Sequence, residues 1–187
     1  MKRFILSSLL CAIILTLNGI FVVYANSKGA AVLNEELDSH WAVGTSITYP
    51  LGAQIYMIQA SHLAGKRVEL LFGLAYQNWT NDQGQSHAYT LLLGFRHYLW
   101  KGLHTEIELW PAYNPFKSSI DGRTYSGVEL WTSLRLGYTF DLIISNRNFY
   151  ILAQPSLGFG VARQNPWPDF VRGEVIFEPQ LIVGMRL

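Results

Sequence analysis

Apolar and polar residues alternate along most of this chain, and the C-terminal segment shows the pattern most clearly. From Glu174 to Leu187, every second residue is apolar, and the residues between them are mostly polar or glycine. Successive side chains of a β-strand point to opposite faces, so a period of two predicts one long strand. Only Ile176 and Ile182 place an apolar group on its polar face.

The same alternation predicts eight strands after a polar lead-in. Residues 54–63 are the exception, since apolar residues fall on both faces there and the segment also fits a short helix. An even strand count favours a strand, because it returns both termini to one side of a barrel. The eight predicted ranges are His40–Tyr49, Gln54–Leu63, Arg67–Trp79, His87–Leu99, Leu103–Tyr113, Tyr125–Asp141, Phe149–Ala162 and Glu174–Leu187.

Charged residues fall on the inward face of the predicted strands. A lumen of eight strands is just wide enough to be filled by side chains, so we expect these charges to pair as a network that closes it. The alternative is an acid/base pair, either Glu106 with Glu108 or Glu174 with Glu178, since residues near each other on one face bring two carboxylates together. The predicted lumen network comprises Glu69, Arg96, Glu106, Glu108, Glu129, Arg135, Glu174, Glu178 and Arg186.

Aromatic residues cluster at the strand ends on the apolar face. We expect an outer girdle and a periplasmic girdle at the two membrane surfaces. A soluble lipocalin-like barrel would show the reverse pattern, with apolar residues inside. The outer girdle is predicted from Tyr49, Tyr89, Tyr113, Phe159 and Phe177, and the periplasmic one from Trp41, Tyr138, Phe140 and Phe149.

The N-terminal segment resembles an export signal. Met1–Ala25 has a basic start, an apolar run and a small-residue cleavage pattern ending at Ala25, so residues 1–25 are predicted to be a cleaved signal peptide. The alternative is an uncleaved anchor helix, because the apolar run approaches spanning length. Residues 26–39 are then a periplasmic lead-in, and residues 40–187 an outer-membrane β-barrel.

Composition excludes several classes of function. The only cysteine, Cys11, lies in the predicted signal, so the mature chain has no disulfide and no thiol chemistry. Cleavage leaves 162 residues with 12 basic and 13 acidic side chains and no basic block, which excludes nucleic acid as a partner. Histidines and carboxylates show no persuasive ligand spacing, so neither a metal nor another cofactor is predicted.

Signal, alternation and unequal loops together resemble the small eight-stranded outer-membrane barrels, the group containing the OmpA membrane domain, OmpX and the lipid A deacylase PagL. The resemblance covers the whole mature chain and implies an all-β, antiparallel up-and-down transmembrane barrel in a Gram-negative outer membrane. Outer-membrane lipid and lipopolysaccharide are then the expected partners. The chain departs from the group at its end, where Leu187 replaces the usual aromatic residue.

The deacylase motif itself is absent. That family places His and Ser two residues apart on a strand, whereas Ser61-His62 and Ser86-His87 are direct neighbours here. Neighbours on a strand point to opposite faces, so neither pair can act as a dyad and no catalytic residue is carried over. We therefore expect a structural or cell-surface interaction role with a closed lumen; the alternative is a lipid A or phospholipid-modifying hydrolase.

Connection lengths predict which end faces the cell exterior. Residues 64–66, 100–102 and 143–148 are short links expected in the periplasm, whereas residues 80–86, 117–124 and 163–173 are longer and expected outside. Outer loops commonly carry the function of a barrel, so Phe116, Trp167 and Phe170 are candidate binding residues for an extracellular ligand. The other interpretation is that these aromatics dip into the lipid headgroup layer or cap the barrel.

Overall fold

Apart from one four-residue helix, the regular structure of the described chain is β-sheet. The computed structural model describes residues 40–164 and 175–187; the predicted signal and lead-in lie outside these residues, as do Glu174, Trp167 and Phe170. In the described residues no helix is long and apolar enough to cross a membrane. The elements are β1 (Trp41–Ser46), α1 (Tyr49–Gly52), β2 (Ile55–Leu63), β3 (Val68–Asn81), β4 (Gly84–Trp100), β5 (Leu103–Tyr113), β6 (Phe116–Ser118), β7 (Thr124–Tyr125), β8 (Val128–Ile144), β9 (Arg147–Gln154), β10 (Ser156–Gln164), β11 (Val175–Phe177) and β12 (Gln180–Arg186).

These strands close into an eight-stranded antiparallel barrel, which confirms the predicted all-β class and the predicted strand number. β1 to β5 pair in sequence, β5 pairs with β8, β8 with β9 and β10, and β12 pairs with both β9 and β1. β9 and β10 form the seventh strand, interrupted at Pro155, and β11 and β12 form the eighth, interrupted at Glu178-Pro179. Both breaks contain a proline, which lacks the N–H that a sheet ladder requires.

The segment that also fitted a helix is strand β2. It pairs with β3 over nine positions from Ile55 to Leu63, so the barrel has the predicted even number of strands. Two of its inward residues, Ile55 and Met57, are apolar because part of the lumen is apolar. Met57 packs there in a buried cluster that includes Leu92, Leu152 and Ile182. The same cluster explains why Ile182 interrupts the polar face of the last strand.

The first strand is shorter than predicted. β1 ends at Ser46, and the chain turns into α1, with Pro50 in the first turn. Proline is favoured there because the first helical N–H groups have no partner within the helix. Tyr49 was predicted in the outer girdle, but its side chain is buried at 3% exposure. The helix directs Tyr49 into the lumen, so the assignment to the girdle was wrong.

Tight turns join most neighbouring strands. Residues 145 and 146 alone connect β8 to β9, and both have positive φ, 50° at Ser145 and 60° at Asn146. The predicted long loop over residues 80–86 is wrong, because β3 and β4 continue to a two-residue turn at Asp82 and Gln83. A register shift after Gly160 places Ala162 opposite Leu130, so a β-bulge interrupts the alternation of faces along β10.

Candidate functional site

A network of buried ion pairs crosses the middle of the lumen. Arg96 on β4 lies between Glu69 on β3 and Glu106 on β5, with nitrogen–oxygen distances of 2.5 Å and 2.7 Å. The three residues are at most 3% exposed. Antiparallel register explains the contact, because Glu69 is opposite Arg96 and Arg96 is opposite Glu106. A buried guanidinium is therefore paired on both sides, as burial of charge requires.

Arg135 continues the network on β8. It contacts Glu106 at 2.6 Å and also pairs with Glu108, two positions along β5. Its other terminal nitrogen donates to the hydroxyl of Tyr49 at 3.4 Å, which ties the helix to the strands. The side chain of Gln59 on β2 donates to Glu108 from across the lumen.

Arg186 connects the last strand, β12, to β3 and β8. It contacts Glu69 at 3.1 Å and Asp141 at 2.8 Å. Asp141 was not among the predicted lumen residues. The sequence could have indicated its inward direction, because Asp141 follows the inward Thr139 by two residues and residues two apart on a strand share a face.

Several hydrogen bonds span the lumen between strands that are not neighbours in the sheet. Gln154 on β9 donates to Glu106 on β5 at 3.1 Å, and it also donates to Gln180 on the neighbouring strand β12 at 2.5 Å. His104, which is fully buried, contacts Gln154 through Nε2 at 3.2 Å and the carbonyl of Gly102 through Nδ1 at 2.9 Å. Side chains from strands that are not neighbours therefore meet inside the barrel and occupy its cross-section.

The remaining predicted lumen residues have different surroundings. Glu129 is half-buried and accepts hydrogen bonds from Asn114 at 2.9 Å and from the indole of Trp131 at 3.3 Å. Glu178 is half-buried at the break between β11 and β12. Neither of these carboxylates joins the ion pairs described above. Glu106 and Glu108 do share the inward face, but the carboxylate of each forms an ion pair with arginine. This pairing argues against their use as an acid/base pair.

The outward face of the barrel carries a row of tyrosines in direct register. Tyr56 on β2 is opposite Tyr76 on β3, Tyr76 is opposite Tyr89 on β4, and Tyr89 is opposite Tyr113 on β5. We call these four residues the tyrosine row. The rings of Tyr76 and Tyr89 lie 5.4 Å apart, and Tyr76 shares a hydrogen bond of 2.7 Å with Nδ1 of His87.

Below the tyrosine row, the outward face is apolar. Leu74, Leu91, Phe95 and Leu134 are examples, each between 42% and 62% exposed. On β2, β3, β4, β5 and β8, the outward positions between the row and the level of Trp100 include no Asp, Glu, Lys or Arg. From the row to Trp100, about ten residues at ~3.3 Å each and a tilt of about 40° give a band about 25 Å high.

Neighbouring serine and histidine residues point in opposite directions in the structure. Ser61 and Ser86 are buried inside the barrel, at 5% and 2% exposure. His87 shares the outward parity of Tyr89, and His62 lies against the ring of Trp41 on the outward side, with ring centres 4.5 Å apart. In the described residues no group of three or more histidine, cysteine or acidic side chains is arranged to hold a metal ion.

Phe116, predicted as a residue of an outer loop, is a buried strand residue. It lies in β6, which pairs with the start of β4, and it is only 4% exposed. Phe116 and Ser118 point inward, whereas Lys117 between them is exposed. This alternation is the period of two of a β-strand, and Lys117 is also the one charged residue of the three in the sequence. The other two candidate loop residues, Trp167 and Phe170, lie outside the described residues.

The hairpin of β6 and β7 extends the barrel wall at this end. In its turn, the hydroxyl of Tyr125 donates to Asp121 at 2.5 Å, and the N–H of Arg123 donates to the same carboxylate at 3.0 Å. The hydrogen bond from Tyr125 lowers the pKa of Asp121 and raises the pKa of Tyr125. Ile120 at the tip is 90% exposed.

Comparison with protein-family models, curated proteins and solved structures finds no match for this chain. The resemblance to the OmpA and OmpX group therefore stays a prediction.

Proposed function

We propose that this chain is a transmembrane β-barrel of a Gram-negative outer membrane, with a closed lumen and a structural or cell-surface interaction role. The observation that carries the proposal is the distribution of polarity, with paired charges inside and an uncharged apolar band outside. Such an exterior exposes far more apolar surface than a soluble monomer does, and lipid is the solvent that suits it.

The dimensions of the outward face support the same proposal. A band about 25 Å high with aromatic residues at its edges matches the hydrocarbon layer crossed by outer-membrane barrels. The alternative, a lipid hydrolase, needs a serine and a histidine on one face. The pairs at 61–62 and 86–87 do not meet that requirement, since each serine is inside while its neighbouring histidine is on the outward side.

Cell fractionation with gel electrophoresis tests this proposal. The protein should be recovered with the outer membrane, and unboiled samples should migrate differently from boiled ones because a closed barrel resists unfolding by detergent. Recovery in the soluble periplasm, together with one gel position at both temperatures, would contradict it.

A further inference from the structure

A shallow groove lies on the outward face of the barrel beside the tyrosine row. It has a volume of about 550 Å³ and spans β2, β3 and β4. Ile58, Leu74 and Leu91 line its apolar part, at 56%, 62% and 42% exposure, and Tyr56 and Tyr89 stand at its polar edge. The groove therefore has an apolar floor below a line of hydroxyl groups.

Polarity rises in one direction along this face. On β4 the outward residues read Leu91, Tyr89, His87 and Gln85 in order toward the outer end. Lys117 on β6 is directly opposite Gln85 and points outward, because its neighbours in β6 are buried. Facing residues on paired strands have Cβ atoms about 5 Å apart, and diagonal neighbours are within reach of long side chains. The ammonium of Lys117 can therefore reach the level of His87.

The tyrosine row covers four neighbouring strands of the barrel, β2 to β5. The tyrosine row ends at β5, because the residue opposite Tyr113 on β8 is Val128. At the other end of the row, β1 stops at Ser46 before it reaches the level of Tyr56. The tyrosine row, His87 and Lys117 thus form one sector of the outward face, above the apolar groove. Contact with bulk lipid alone does not require hydroxyl groups, an imidazole and a lysine in this arrangement.

We propose that this sector binds one lipid of the outer leaflet that carries a phosphate in its headgroup. Acyl chains lie against Ile58, Leu74 and Leu91, the tyrosine row contacts the headgroup boundary, and Lys117 and His87 contact the phosphate. The proposal rests on the proposed membrane location. Charge complementarity selects a phosphate, because Lys117 presents a cation at the polar edge while the outward face below carries no carboxylate on these strands.

Native mass spectrometry of the full-length protein, expressed in outer membranes and purified in detergent, tests this site. The probes are lipid A and the same lipid A after removal of its phosphates. We expect one phosphorylated lipid retained per barrel, and about tenfold weaker retention of the dephosphorylated lipid. Lys117→Gln should lose that preference, whereas Lys117→Arg should keep it.

The matched control is Lys101→Gln, which removes a lysine at the opposite end of the barrel, where Lys101 lies 4.7 Å from the ring of Trp100. It should bind as the wild type does. Equal retention of the two lipids, or equal loss in Lys117→Gln and Lys101→Gln, would overturn the site. A complex of two chains without lipid would instead make the groove a protein interface.

The gel assay on the same samples separates the two proposals. Heat-modifiable protein without lipid preference rejects this site and leaves the membrane barrel standing. Protein that shows no heat-modifiability and does not fractionate with membranes rejects both.

Discussion

Arg135 shows how much of a residue's role can be predicted from the pattern alone. Its inward direction follows from alternation with Leu134 and Leu136, which are 46% and 53% exposed. Its partners do not follow, because they depend on the register between β5 and β8, which places it opposite Glu106. Tyr49 was assigned to the wrong face, since no period of two extends through the helix that carries it.

Substitution of Arg135 should be costly because of the carboxylates it leaves behind. Arg135→Met should lower the free energy of unfolding by about 3–5 kcal/mol, measured by urea titration of the protein in lipid vesicles, since Glu106 and Glu108 lose a buried partner. Leu136→Met, a volume-conserving change on the outward face, should cost less than about 1.5 kcal/mol.

A combined variant separates lost pairing from lost packing. Arg135→Met with Glu106→Gln and Glu108→Gln should recover part of the stability, because the uncompensated charges are gone. If the combined variant is no more stable than Arg135→Met alone, the ion pairs do not account for the loss.

At the scale of elements, strands were predictable and their ends were not. Period-two patterning located seven of the eight barrel strands, because each has one face against lumen side chains and one face outside, and the even strand count favoured β2. Connections depend on backbone conformation at single residues, which that pattern does not report. Asp82-Gln83 is a weak turn signal, so the sequence did not predict that the turn is only two residues long. β4 begins at Gly84, earlier than predicted. The helix at Tyr49 and the bulge after Gly160 were missed for the same reason.

The turn between β8 and β9 offers a test of this backbone requirement. Ser145 has φ of 50°, a region in which β-branched side chains are strained. Ser145→Val should lower the free energy of unfolding by about 1–2 kcal/mol, whereas Ser145→Asn should leave it nearly unchanged because asparagine tolerates this conformation. Equal stability of the two variants in urea titration would contradict the assigned turn.

At the scale of the whole molecule, the barrel places a network of paired charges inside and an uncharged apolar band outside. Side chains from different walls meet in the lumen, as in the bonds from Gln154 to Glu106 and from Arg135 to Tyr49. Sequence alternation predicted this polarity. The combination of an apolar cluster with ion pairs in one lumen could not be read from it, because that depends on which strands become neighbours on closure.

A filled lumen should not conduct ions. We expect no sustained single-channel conductance when the purified protein is inserted into a planar bilayer, because the lumen of an eight-stranded barrel is only wide enough for side chains. Steady current steps from folded, heat-modifiable protein would instead identify a narrow pore.

The central claim is that the outward face of the barrel contacts lipid, and spin labels on β8 test it most directly. Cysteines at 134 and 136, introduced singly, replace outward leucines, whereas one at 133 replaces a serine that is 5% exposed. In native outer membranes, nitroxide labels at 134 and 136 should be relaxed by oxygen, which concentrates in lipid, and protected from a water-soluble nickel complex. Relaxation by the nickel complex at 134 and 136, with oxygen contact at 133, would contradict the account.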